Sequence, residues 1–179
     1  MEVNNFLRGR FILKKNGQCD IWGEVAYNFN VKTLFLDFDG VIHPEFCHES
    51  RHFCCLPMFE QVLRRCKDWD VVITSTWRLQ RSFESLRAVF SGDVASRVLG
   101  VTPRFAELND VPNSLLGYER EAECNAWLRE NDRIVFPWLA IDDRSWLFRP
   151  FNSSVFLVDG KTGLTAEVAE ELTERLLKL

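Results

Sequence analysis

Leu34-Phe35-Leu36-Asp37-Phe38-Asp39-Gly40-Val41 is the stretch on which the fold turns. Val31 to Leu36 is short, apolar and rich in β-branched and aromatic residues, the composition of a strand buried on both faces. It runs straight into Asp37-Phe38-Asp39-Gly40, so two carboxylates stand one residue apart where a buried strand gives way to a polar loop. Residues i and i+2 point the same way on an extended backbone, which sets Asp37 and Asp39 toward one crevice.

Downstream the pattern alternates. Pro57 to Lys67 has helical spacing, with Phe59, Val62, Leu63 and Cys66 on one face, and Val71 to Thr74 forms a second buried strand. Ser82 to Phe90 reads as a helix, Arg97 to Val101 as a strand, Tyr118 to Glu130 as a helix, and Trp138 to Ile141 as a strand ending at Asp142-Asp143. Ser154 to Val158 is a short apolar run closed by Asp159-Gly160, and Thr165 is placed to cap a terminal helix with Val168, Leu172 and Leu176 on one side. This alternation predicts a doubly wound, Rossmann-like α/β domain over residues 31–179, with a parallel sheet covered on both faces. Residues 1–30 read as an N-terminal extension: Arg10 to Lys15 and Gln18 to Trp22 flank Asn16-Gly17, a pair suited to the type I′ turn of a β-hairpin.

A chain of 179 residues, 46% apolar and 27% charged, suits one domain with one substantial core. No run approaches the roughly eighteen apolar residues of a membrane span, and Met1 to Arg10 lacks the layout of a signal peptide. The expected compartment is the cytoplasm, with no membrane partner. Cys19, Cys47, Cys54, Cys55, Cys66 and Cys124 then read as free thiols. A formal net charge of -4 argues against a protein that coats nucleic acid through bulk electrostatics and leaves room for a local basic groove. The aromatic richness is mainly core filling, with exposed rings available to stack on a base. Cys47, His48, His52, Cys54 and Cys55 have metal-ligand chemistry, but their spacing matches no common zinc pattern, so they read as thiols and imidazoles of a loop. His43 suits lining the site and packing the loop equally well.

In open α/β sheets ligands bind beyond the carboxyl ends of the strands, so Asp37/Asp39 and Asp142/Asp143 converge on one crevice. Carboxylates gathered there repel unless a cation joins them, and a hard divalent ion with oxygen ligands, Mg²⁺, suits the need. One carboxylate can then attack phosphorus while its neighbour protonates the leaving alkoxide and later deprotonates water. Asp37 suits the first role and Asp39 the second.

The sequence resembles the haloacid dehalogenase-like (HAD) phosphatase superfamily over roughly Val31 to Asp159, with residues 34–41 as its first signature. Within it, the chain is similar to the small branch described as the HAD domain of RNA-repair ("Swiss Army Knife") proteins. The similarity lies in Asp-Gly-Val-Ile-His-Pro at 39–44, Thr-Ser-Thr-Trp-Arg at 74–78 and Gly-Val-Thr-Pro-Arg at 100–104. The resemblance implies that Asp37 is nucleophile and metal ligand, and that Asp39 is the general acid/base and lends its backbone carbonyl to Mg²⁺. It implies that Ser75 binds the phosphoryl group, that Asp142 is the remaining metal ligand, and that Asp143 supports it. Thr74 and Thr76 stay open as alternatives to Ser75, since a shift of one residue at the strand end exchanges which side chain points inward. The family places a Lys or Arg between its second and last signatures. No Lys lies between Thr76 and Asp143, which makes Arg120 the candidate, with Arg78 and Arg104 as rivals. Trp77-Arg78 is expected at the entrance.

The gaps Val41 to Asp70 and Leu79 to Gly117 are filled by expected sheet, loop and helix elements, so no sizeable cap fits and the crevice should be open. The expected activity is Mg²⁺-dependent phosphomonoester hydrolysis through an aspartyl-phosphate. The resemblance points to RNA or DNA ends carrying a 3′-phosphate as the phosphorylated substrate. The competing class is a non-catalytic module that recognises a phosphorylated partner. A phosphotransferase, which hands the phosphoryl group to an acceptor other than water, carries the same residues.

Overall fold

The computed structural model describes residues 32–179 together with two short strands, β1 (Gly9–Phe11) and β2 (Gly23–Val25). Contacts divide the chain into two compact units, Met1–Val31 and Lys32–Leu179. In the first, β1 and β2 pair antiparallel, Gly9 opposite Val25 and Phe11 opposite Gly23. The expected turn at Asn16-Gly17 lies outside the described residues, as does Cys19.

The second unit begins with β3 (Lys32–Leu36), a loop and α1 (Leu56–Arg65), followed by β4 (Trp69–Ile73). Then come a 3₁₀ turn at Thr76–Leu79, α2 (Phe83–Arg87), α3 (Gly92–Ala95) and β5 (Val98–Val101). α4 (Glu119–Glu130), β6 (Trp138–Asp142), β7 (Val155–Leu157) and α5 (Ala166–Lys178) complete it. The five strands form an all-parallel sheet in the order β5-β4-β3-β6-β7. The chain winds outward from β3 to β5, then crosses back to β6 on the other side of β3. This is the doubly wound α/β architecture, and its topological switch point lies between β3 and β6.

Strand periodicity explains the two layers. Leu34 and Leu36 share a cluster with Phe59 and Leu63 of α1 and Leu172 and Leu176 of α5. Phe35 points to the opposite face and packs with Val72, Ala140, Phe148 and Cys124, Trp127 and Leu128 of α4. Pro57 sits in the first turn of α1, where its missing N–H costs nothing. At the other end of α1, the Arg97 guanidinium donates to the carbonyls of Leu63, Cys66 and Trp69. Thr165 Oγ1 accepts from Val168 N and caps α5 as expected.

Boundaries shift where a tertiary partner intervenes. β4 starts at Trp69 rather than Val71 because Trp69 pairs with Lys32. The helix expected over Ser82 to Phe90 is shorter, α2 alone, with Ser82 Oγ accepting from Ser85 N, and α3 follows as a separate turn of helix after Ser91, whose N–H donates to Glu60 Oε1 at 2.6 Å. Cys47, Cys54, Cys55, Cys66 and Cys124 are free thiols. Among the described residues, no helix is long and apolar enough to cross a membrane, and no cap domain interrupts the sheet.

Candidate active site

Leu36 is level with Ile73 of β4 and with Ile141 of β6. One residue further along, Asp37, Thr74 and Asp142 emerge side by side at the carboxyl edge of the sheet, at the switch point. The ladders continue into this row, with Asp37 N–H donating to the Ile141 carbonyl at 3.1 Å and Thr74 N–H to the Leu36 carbonyl at 2.9 Å. Asp37 is only 4% exposed, and its Oδ1 accepts from Phe38 N–H at 2.7 Å.

Arg120, in the first turn of α4, closes the row from above. Its Nη1 donates to Thr74 Oγ1 at 2.9 Å and to Asp142 Oδ2 at 3.1 Å, and stands 3.3 Å from Asp37 Oδ2. Burial works against its charge, but Asp37, Asp142 and Glu123 outweigh that and hold it protonated beyond the ordinary arginine range. Burial pushes the Asp142 carboxyl up to about 7 against the pull of Arg120. Asp143 is also raised, by burial first and then by Asp37.

Asp143 explains the glycine of the first signature. A Cβ on Gly40 would stand 2.3 Å from Asp143 Oδ2, and one on Gly160 would stand 2.4 Å from the same atom. Gly40 also has a φ of +75°, where a side chain is strained. The other carboxylate oxygen, Asp143 Oδ1, is buried without a hydrogen-bond partner, with Arg144 Nε 3.7 Å away. Ligand atoms of Asp37, Asp142 and Asp143 all lie within 4.8 Å of one another. An orphaned buried oxygen in an all-carboxylate set fits a hard divalent cation such as Mg²⁺.

Asp39 stands apart from that cluster. Its side chain is taken up by two partners: Oδ1 is 3.0 Å from His43 Nε2, and Oδ2 accepts from Trp77 Nε1 at 2.9 Å. His43, with burial opposing and Trp77 helping, holds the Asp39 carboxyl below its ordinary value.

A family model described as the HAD domain in Swiss Army Knife RNA repair proteins matches residues 33–169, most of the chain. The chain belongs to that family. No curated protein and no solved structure gives a significant match. Membership makes it a HAD-type, phosphatase-like domain.

The cations of this HAD domain sort by their partners. All five N–H donors of Arg78 meet acceptors: the carbonyls of Thr74, Ser75, Thr102 and Pro103, and Glu123 Oε2 at 2.7 Å. That binding commits Arg78 to holding the strand ends rather than to a phosphate. Arg104 is exposed and lies 3.7 Å from Glu107. Arg120 alone of the three faces the carboxylate row. Of the hydroxyls, Thr74 is level with Asp37, Ser75 is buried with its Oγ accepting from Trp77 N–H at 3.4 Å, and Thr76 is exposed.

Two residues of the HAD site escape a reading by motif. Glu123 holds both Arg78 and Arg120, the latter from three residues along the same helix at 3.7 Å, and that spacing was the available signal. Arg144 donates its backbone N–H to Asp142 Oδ1 and its guanidinium to Glu45 at 2.7 Å. It borders two cavities, one of about 490 Å³ beside Arg120 and Thr76 and one of about 310 Å³ beside Asp39 and His43.

Proposed function

We propose that this HAD domain hydrolyses phosphomonoesters with Mg²⁺ and acts on the phosphorylated ends of nucleic-acid strands. The observation that carries the reading is the convergence of Asp37 with Asp142, Asp143 and Arg120 at the switch point. Asp37, Asp142 and Asp143 would hold the ion, and when bound it neutralises charge on the phosphoryl oxygens.

The protein's own groups supply the rest. Asp37 attacks phosphorus through a carboxylate oxygen, and the bond from phosphorus to the ester oxygen breaks as the new bond forms. Arg120, on the same edge, offers its guanidinium to the charge that develops. The departing alkoxide takes a proton from Asp39. Once ionised, Asp39 takes a proton from water, whose oxygen bonds to phosphorus as the bond to Asp37 breaks, giving inorganic phosphate and the original carboxylate. Asp39 is held ionised by two donors, which suits the base half of the cycle. The acid half needs a proton delivered to it, and His43 Nε2 at 3.0 Å is placed to supply one.

The nucleic-acid assignment draws on the family's description and on the absence of a cap over the described sheet edge. Its test compares phosphate release from an aryl phosphate and a 3′-phosphorylated oligonucleotide, each with Mg²⁺ and with chelator. The expected outcome is Mg²⁺-dependent release from both, faster from the oligonucleotide. Equal or slower turnover of the oligonucleotide removes the nucleic-acid assignment and leaves a general phosphatase.

A further inference from the structure

The loop between β3 and α1 brings together residues outside the carboxylate cluster, one of which, His43, also reaches Asp39. His43, Cys47 and His52 each offer one ligand atom, and these atoms lie within 4.8 Å of one another. His43 was not part of the Cys/His run legible at 47–55; the fold recruits it. The turn from Pro44 to Cys47, closed by Cys47 N–H to the Pro44 carbonyl at 3.3 Å, carries the chain back over His43. It does so with Phe46 at a φ of +57° and 95% exposed, a strained conformation that no packing of the ring offsets. From the far side of the loop, the His52 ring approaches to 4.8 Å from that of His43.

His43 itself supplies an independent pointer. It is 1% exposed, its Nε2 faces Asp39 Oδ1, and its Nδ1 is buried with no hydrogen-bond partner. A buried imidazole nitrogen without a partner is costly unless something fills its lone pair. A metal ion at Nδ1 would do so, with Nε2–H donating to Asp39 as the carboxylate that orients a metal-bound histidine.

We propose that His43, Cys47 and His52 form a site for a borderline-soft divalent ion, Zn²⁺, separate from the carboxylate cluster. Two imidazoles and a thiolate select zinc over magnesium, which takes oxygen ligands. Three protein ligands leave the fourth position for water, on the side of the cavity of about 310 Å³ that Asp39 and Glu45 also line. Binding takes the proton from the Cys47 thiol, ties the loop into one conformation and fixes which His43 nitrogen faces Asp39. None of its ligands belongs to the carboxylate set, and His43 would meet the ion through Nδ1 while Nε2 keeps its place beside Asp39, so metal binding here is read independently of hydrolysis.

Co²⁺ titrated into the metal-free full chain reports on it directly. The expected result is one cobalt with tetrahedral visible bands and a thiolate-to-cobalt absorption in the near ultraviolet, displaced by Zn²⁺ and not by Mg²⁺. Cys47→Ser should abolish the thiolate absorption and His52→Gln should weaken cobalt binding, with far-ultraviolet circular dichroism of the metal-free variants matching the native chain. Asp142→Asn, which disables the carboxylate cluster, should leave the thiolate absorption in place. Native protein that binds cobalt without that absorption overturns the site, as does an absorption that survives both Cys47→Ser and His52→Gln.

Discussion

Replacing Gly40 by alanine drives a methyl group into the space held by the Asp143 carboxylate and fixes a side chain at a φ of +75°. The expected cost is about 1–3 kcal/mol, read by urea denaturation, together with weaker Mg²⁺ binding because Asp143 must move. Arg120 supports the row in a different way, as the counter-charge to Asp37 and Asp142. Arg120→Met leaves those carboxylates facing one another, and the metal-free protein should lose about 3–5 kcal/mol. Mg²⁺ should then raise the melting temperature of the variant more than that of the native chain. Asp142 also sets a pH dependence. Its folded pKa, about 7, stands above its ordinary 3.8, so the folded state holds the proton longer than the unfolded chain does. Metal-free protein should therefore lose stability as pH rises between those two values and level off above. Mg²⁺, which binds the ionised form, should recover the loss at pH 8, and melts at pH 5 and pH 8 with and without the ion measure both effects. At this scale the sequence pointed to carboxylates that the fold brings together, Asp37, Asp142 and Asp143, but not to where the side chains turn. That the Asp39 side chain meets His43 and Trp77 depends on contacts across the loop and across 38 positions of chain, which spacing does not reveal.

α4 shows how an element can be legible while its role is hidden. Its helical extent was readable and Arg120 stood out as the candidate cation, but no motif in the sequence marked Glu121 and Glu123, and all three are buried. The face that closes the site needs charge, so it gives up the apolar stripe by which buried faces are usually recognised. Glu123 binds Arg78 and Arg120, and Glu121 accepts from the Arg149 backbone and guanidinium. Burial lifts the Glu123 carboxyl while those two arginines pull it back. Glu123→Gln should cost about 3 kcal/mol or more by leaving buried guanidinium charge uncompensated, and should slow turnover by loosening Arg120. A urea denaturation curve and steady-state kinetics on the same variant check both. The short α3 went unread for a related reason, since the residue before it, Ser91, gives its N–H to Glu60 in α1, a contact across 31 positions of chain.

At the scale of the molecule, the β/α alternation was enough for a doubly wound sheet, and the acidic residues at two strand ends were enough to expect the carboxylate cluster found at its carboxyl edge. What alternation cannot supply is register. Only the pairing of Leu36 with Ile73 and Ile141 shows that Thr74 stands beside Asp37. An uncapped edge on a chain of net charge -4 should touch only a few phosphates of a long substrate. The KM for a 3′-phosphorylated oligonucleotide should accordingly rise with salt at a log–log slope of about one to two, and a much steeper slope would indicate an extended basic track. The central claim is that Asp37 carries the phosphoryl group, and mass spectrometry of enzyme quenched in acid during turnover tests it most directly. A phosphoryl adduct on the peptide containing Asp37, absent from Asp37→Asn, is the predicted result; undiminished turnover by Asp37→Asn, or an adduct on another residue, would contradict it.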